Sequence, residues 1–276
     1  MSGLAIAGNS DDPGDIKSTF RAVSFGGESL MRILSWNIHK GIGGTDRRYS
    51  LERIISVIEG QNPDLICLQE VDRHVRRSRH DDQPRLLAEQ FRVASYDYQL
   101  NVHLKEGGYG NLVLSRWPFL SHHHVSLRYQ ETKPRGAQLA VVDTPEGPLQ
   151  IVNWHLSLTA RMRLWQSRHL LGHRMFREAM DYPTIIIGDT NDWRNQLWKA
   201  PFHEHGFRQI TAPPSHFRSF PAYMALGSLD KAFFKGDIDV RHAGVVKSPL
   251  TRQASDHLPL VIDFHLRPQT DVANVE

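Results

Sequence analysis

Along the chain, a series of apolar runs ends or begins on a side chain able to bind a metal ion or a phosphate. Asn37 closes "MRILSWN", Glu70 follows "LICLQ", His155 follows "LQIVNW", and Asp189 with Asn191 sits in "IIIGDTND". Asp230 lies in "SLDKAFF", and Asp256 and His257 stand side by side before "LPLVIDF". Oxygen donors from Asn, Asp and Glu suit a hard divalent cation, and imidazoles beside carboxylates suit a phosphoryl group. Asp189 and Asn191 are spaced i, i+2, which puts both on one face of an extended chain. Asp256 and His257 would diverge within a regular strand, but in the loop before one they can converge. Each residue also has a plainer reading: an Asx turn for "GDTND", a surface carboxylate for Glu70, a closed strand for Asn37, a core or rim histidine for His155.

The elements that must carry these groups alternate between short apolar runs and helical stretches. "YSLERIISVIEG" places Leu51, Ile54, Ile55 and Ile58 on one helical stripe with Ser50 as the N-cap, and "NPD" stops it. "QLAVVD" and "LQIVNWH" flank "TPEGP", a hairpin signature, and a long basic helix is expected around 160–180. Hairpins mixed with helical crossovers predict α/β layers with mixed sheets. Strand ends in such folds are where distant segments assemble a site.

The chain has 276 residues with 40% hydrophobic and 23% charged content, as expected of one globular domain over 31–268. Residues 1–30, rich in Gly, Ser and Asp, read as a flexible tail, with Met31 an alternative start, and 269–276 as a short C-terminal tail. No apolar stretch approaches a membrane-spanning length, and the lone cysteine, Cys67, excludes an internal disulfide framework and a thiolate-rich zinc site. A cytoplasmic, monomeric protein is expected. The net charge of +3 is too small to argue for nucleic acid, although "DRHVRRSRH" and "RMRLWQSRHLLGHR" are locally dense in Arg and His. They are either solvated faces or contacts to backbone phosphates.

"LSWNIHKG", "LQEVDR", "YGNLVLSRWPF", "NWHLSL", "IIIGDTNDW", "SLDKAFF" and "SDHLPL" occur in an order and spacing that resembles the endonuclease/exonuclease/phosphatase superfamily, and within it a bacterial YbhP-like branch. The resemblance covers about Met31 to Leu266. It implies a DNase I-like α/β fold, a four-layer α-β-β-α sandwich of two packed mixed sheets, and a Mg²⁺- or Mn²⁺-dependent phosphoester hydrolase. By position, Glu70 resembles the principal metal ligand, with Asn37 beside it and Asp256 near the metal. Asp189 resembles the group that orients or deprotonates the attacking water, while Asn191 and His155 resemble phosphate contacts. His257 corresponds to the histidine that stabilises the transition state, and Asp230 to the aspartate that holds it. Asn111 and Arg135 are the implied substrate contacts. Thr190 replaces the usual phenylalanine, and Ser228 and Lys231 depart from the common pattern around Leu229 and Asp230.

Two classes of function remain at this stage: a hydrolase acting on nucleic acid, a phospholipid or a soluble phosphate ester, and a catalytically silent scaffold that binds phosphate or a partner. The aromatics of "RSFPAYMALG" either pack a loop against the sheet, the plainer reading, or line a groove or touch a membrane. No HExxH helix or paired-cysteine set supports an unrelated zinc hydrolase.

Overall fold

A computed structural model describes residues 24–25 and 28–267. The expected tails therefore fall largely outside the described residues. The strands are β1 (Ser24–Phe25), β2 (Glu28–Ser29), β3 (Met31–Asn37), β4 (Leu65–Arg73), β5 (Ser95–His103), β6 (Gly108–Ser115), β7 (Phe119–Ser126), β8 (Gly136–Thr144), β9 (Gly147–His155), β10 (Thr184–Asp189), β11 (Arg208–Gln209), β12 (Asp230–Lys235), β13 (Ile238–Val245) and β14 (Leu260–Leu266). The helices are α1 (Leu51–Gln61), α2 (Gln83–Gln90), α3 (Ala160–Gly172), α4 (Arg174–Glu178) and α5 (Pro249–Ala254).

Sheet one runs β13-β14-β3-β4-β6-β5 and sheet two β11-β12-β10-β9-β8-β7. Each is mixed, with one parallel pair near its middle: β3 with β4, and β9 with β10. A helical crossover is needed to join parallel neighbours, and α1 and α3–α4 supply it. Both crossovers bring two strand ends to the same edge, the geometry that gathers a site.

Side-chain alternation along the strands builds three apolar layers. Ile33, Leu65 and Cys67 of sheet one meet Ile151, Ile185 and Ile187 of sheet two between the sheets. The intervening Leu34, Trp36, Ile66 and Leu68 face outward under Ile54, Ile58 and Leu87 of α1 and α2. On the other side Val152, Trp154 and Ile186 pack under Leu170, Leu171 and Phe176. Each fully buried aliphatic side chain contributes roughly 1.5–3 kcal/mol. The result is the expected four-layer sandwich.

Helix α1 forms as its sequence dictates: Ser50 accepts the Arg53 N–H, and Asn62 ends it in the left-handed region. The single basic helix expected at 160–180 is two helices. His173 takes an extended backbone between them, and its side chain accepts the Met175 N–H, capping α4. The "TPEGP" hairpin joins β8 to β9 as expected.

Toward the site the inter-sheet core turns polar. Gln69 donates to Asn153 Oδ1 at 2.8 Å, and Asn153 donates to the Leu68 carbonyl at 3.0 Å and to Gln138 Oε1 at 3.1 Å. All three are fully buried and hydrogen-bonded. This cross-sheet network fixes the residue before Glu70 against the residue two before His155, so the tips of the two sheets are held in register.

Candidate active site

Asp189 is the hub of the sheet-two tip. It ends β10 in unbroken register with His155 on one neighbour and Asp230 on the other. Its Oδ2 accepts the Asn37 amide at 3.0 Å and lies 3.3 Å from His155 Nε2 and 3.7 Å from His257 Nε2. Its Oδ1 accepts the Asn191 backbone N–H at 3.0 Å. Burial pushes its pKa up to about 6, against the pull of the His257 charge and these hydrogen bonds.

His257 is sandwiched between carboxylates. Nδ1 lies 2.9 Å from Asp230 Oδ2, which also accepts the Ser219 hydroxyl at 2.5 Å. Burial opposes the charged ring, but Asp230 and Asp189 outweigh it and raise the pKa to about 10. The Phe220 ring covers the imidazole at 4.7 Å, and the indole of Trp36 donates to the His257 carbonyl at 2.8 Å. His155 is tuned the other way. Burial and the neighbouring Arg135 hold its pKa well below the ordinary histidine value, so the ring is neutral. Arg135 donates to Nδ1 at 3.0 Å, which leaves the proton on Nε2, toward Asp189.

Glu70 is placed by distortion rather than by register. β4 and β6 slip between Leu68 and Val71, and Glu70 sits in that bulge with φ 57°. A left-handed glutamate costs on the order of 1–3 kcal/mol and points to function when the surroundings enforce it. Burial alone would raise its pKa, yet the Lys40 ammonium, in direct contact, holds the carboxyl well below the usual range. His39, Lys40 and Asn191 also have positive φ, so strained backbone gathers at this edge.

Most of the expected residues come together. Glu70, Asn111, Arg135 and His155 line one pocket, and Asn37, Asp189, His155, His257 and Asp230 are linked by the contacts above. Asn111 donates to the Gly136 carbonyl at 3.0 Å, and Asn191 to the Leu156 carbonyl at 3.0 Å. Asp256 stands further out. It is about a third exposed, 3.9 Å from His39 Nδ1, and reaches Asn37 through His39, whose N–H donates to Asn37 Oδ1, and through Ser255, whose hydroxyl donates to the Asn37 carbonyl.

Several functional neighbours carry no sequence signal of their own. Lys40 is within "NIHKG", but nothing in that motif reveals its contact with Glu70. Lys40, Arg77 and Lys133 all lie over the Tyr109 ring at 5.1–5.3 Å, a positive collar beside Glu70. Arg77 belongs to the first Arg-rich run, where it also pairs with the buried Asp72 at 2.7 Å. The two departures are explained. Thr190 donates its hydroxyl to the Leu229 carbonyl at 2.7 Å, stitching the β10 loop to the residue before Asp230. Lys231 is fully buried, donates to the Ser228 carbonyl at 2.6 Å, and is lowered to about 8 by burial despite Asp192 and Asp230. It serves the packing behind the site.

Ligand atoms of Asp189, Asp230 and His257 lie within 4.8 Å of one another, close enough to surround an ion. Their contacts describe a charged imidazolium between carboxylates, which is a poor cation ligand. Glu70 fits better: its carboxylate is held ionised and already holds the cation of Lys40.

The same architecture occurs in known proteins. YbhP of Escherichia coli K12 is 27% identical over 249 residues, 85% of this chain and 96% of YbhP. An endonuclease/exonuclease/phosphatase from Beutenbergia cavernae superposes with a TM-score of 0.74 at 25% identity, covering 86% of this chain and 72% of that one. The fold is shared with TDP2 of D. rerio, solved in complex with a single-strand DNA product, at a TM-score of 0.65 and 20% identity over 86% and 100% of the two chains. Residues 34–257, from β3 to the histidine that Asp230 holds, match the family model throughout, and the chain belongs to the Endonuclease/Exonuclease/phosphatase family.

Proposed function

We propose that this chain hydrolyses a phosphodiester with the help of a divalent cation, by in-line attack of water. The observation that carries the reading is the geometry at the sheet-two tip, where Asp189 lies 3.7 Å from His257 and Asp230 holds that ring at 2.9 Å, with Asp189 raised to about 6 and His257 to about 10. Near neutral pH, Asp189 is ionised and weakly basic, able to take a proton from water, while His257 is charged and able to donate to a phosphoryl oxygen. General-base action of this kind is worth roughly 10²- to 10⁴-fold. Asp230, fully buried, fixes the direction and charge of the imidazole without taking its proton.

Arg135 and Asn111 face the same pocket as neutral His155, and Arg135 Nε has no protein partner although the residue is buried. A phosphate oxygen would satisfy it. Glu70, with Asn37 and Asp256 as the further oxygen donors that the family resemblance implies, would hold Mg²⁺ or Mn²⁺. When bound, that cation neutralises charge on the phosphoryl oxygens. A silent scaffold would have no use for opposed tuning of neighbouring Asp and His groups.

The deciding experiment is a hydrolysis screen of the purified protein with Mg²⁺ or Mn²⁺ against bis(p-nitrophenyl) phosphate, DNA, RNA and phospholipids, beside Glu70→Ala. Metal-dependent turnover abolished by EDTA and by Glu70→Ala is expected. Full turnover in chelator would remove the cation, and none on any ester would leave the scaffold reading.

A further inference from the structure

The rim of the site is asymmetric. On one flank stands the collar of Lys40, Arg77 and Lys133 around Tyr109. On the other, residues 219–227 form a closed finger just before β12: Ser219 and Phe220 donate to the Gly227 carbonyl at 2.9 and 3.0 Å, and Leu226 and Gly227 to the Phe220 carbonyl at 2.9 and 2.7 Å. Phe220 turns inward over His257, so the packing expected of this segment holds for one aromatic only. Tyr223, Met224 and Leu226 at the tip are 58%, 53% and 56% exposed.

The apolar surface continues beyond the finger. Trp193 meets Phe220 edge-on at 5.9 Å and lies against Gly227, where a Cβ would fall 2.6 Å from its ring. Leu158, in the loop after β9, is 73% exposed. Strand order fixes the sequence of these features along the edge of sheet two: finger before β12, Trp193 after β10, Leu158 after β9, and Lys133 with Arg135 before β8. An apolar lip thus faces a basic collar across the reacting groups. Exposed large apolar groups concentrated at one edge mark an interaction surface.

We propose that this edge docks on the surface of a phospholipid bilayer, the tip of the finger entering the interface, and that the phosphodiester cleaved is an amphiphile presented there. The proposal rests on the hydrolase reading above and supplies its substrate class. Met224, Leu226 and Leu158 are aliphatic and offer no flat face for a base, whereas single-strand binders use aromatic platforms along a continuous basic groove. Tyr and Trp beside aliphatic groups, with basic residues around them, match the layering of a membrane interface. Arg194, next to Trp193, and Arg218, next to the start of the finger, are both exposed and complement anionic headgroups.

The finger is also joined to the chemistry. The Ala222 N–H donates to the Asp256 carbonyl at 2.7 Å, the Leu258 N–H to the Ser219 carbonyl at 2.9 Å, and the Ser219 hydroxyl to Asp230. Seating the tip in a surface therefore fixes the backbone on both sides of His257. The tip itself touches none of the reacting groups.

The test is sedimentation of the full chain with phosphatidylcholine vesicles containing phosphatidylglycerol, comparing the wild type with a Tyr223→Ser, Met224→Ser, Leu226→Ser triple variant, in parallel with bis(p-nitrophenyl) phosphate hydrolysis and binding to a single-stranded oligonucleotide. Wild-type binding at least about tenfold tighter than the variant, with soluble-ester turnover within about twofold, is expected. Since Cys67 is fully buried, Leu226→Cys offers one reactive thiol, and an environment-sensitive dye there should shift to the blue on vesicle addition. Equal vesicle binding by both proteins, no dye shift, or loss of oligonucleotide binding in place of vesicle binding would overturn the docking surface. Soluble-ester turnover that persists in that case leaves the hydrolase reading intact, and turnover of neither the soluble ester nor the vesicle phospholipid by the wild type sinks that reading separately.

Discussion

Glu70 and Asp189 are carboxylates at the tips of equivalent parallel strand pairs, and the two sheets treat them in opposite ways. Sheet one throws Glu70 out of register in a bulge, strains its backbone and sets an ammonium against it, so the carboxyl stays ionised. Sheet two carries Asp189 in register into a buried tip, where desolvation raises it to about 6. A cation ligand must be charged at every working pH, whereas a base must be able to pick up a proton. On the proposed reading, position in the bulge or in the ladder decides which role each carboxylate takes.

The largest effect should come from disabling the proposed base, Asp189. Asp189→Asn keeps the shape and, with its amide oxygen toward Asn37, that contact, while losing the one from the Asn191 N–H, and should lower kcat by about 10²- to 10⁴-fold. Single-turnover rates within tenfold of wild type would assign the proton elsewhere. On the other carboxylate, Glu70→Gln should weaken Mn²⁺ binding by at least the roughly 10- to 100-fold seen for changes around metal ligands. Calorimetric titration of Mn²⁺ reads this directly, and unchanged affinity would move the metal away from Glu70.

The pH dependence sharpens the contrast. In the metal-free protein His257 keeps its proton up to about 10, against 6.5 for the free side chain. A raised histidine adds stability that is complete below about 6.5 and is lost as pH rises toward 10. His257→Gln should therefore cost more stability at pH 6 than at pH 10. Urea midpoints showing the same cost at both would mean the ring is neutral in the folded protein. Activity should rise with pH near 6, as Asp189 loses its proton, and fall toward 10, as His257 loses its own.

Smaller changes probe the neighbours. Lys40→Met removes the cation that competes for Glu70 and should tighten Mn²⁺ binding by about tenfold or less, since a partly exposed ion pair counts for up to about 1 kcal/mol. Weaker binding would instead make Lys40 a support for the site. Ser219→Ala removes one hydrogen bond to Asp230, worth roughly 1 kcal/mol, and should lower the His257 pKa only if Asp230 then turns away. Titration of the ring by NMR distinguishes the two.

The residue types at the strand ends were legible because a strand that must bury both faces is apolar until it leaves the sheet, and the polar residue that follows marks the exit. The Ser50-capped helix and the β8–β9 hairpin were legible for similar local reasons. The break at His173 was not, because the basic run continues through it and only the cap geometry divides α3 from α4. Lys231 departed from the common pattern with no sign of its place, and alternation along β12 buries it behind Asp230. In "RSFPAYMALG" composition could not tell the inward Phe220 from the exposed Tyr223, since both are aromatic and only the closed turn separates their directions.

The sequence by itself determined mixed α/β layers through its periodicity, and its motifs in order carried the family resemblance, which implied the two packed sheets and named the groups that meet. Only the tertiary structure decided which of those groups carry charge. Protonation depends on burial and on partners up to 152 residues apart, as Asn37 and Asp189 are, and those distances exist only once the two sheets have packed.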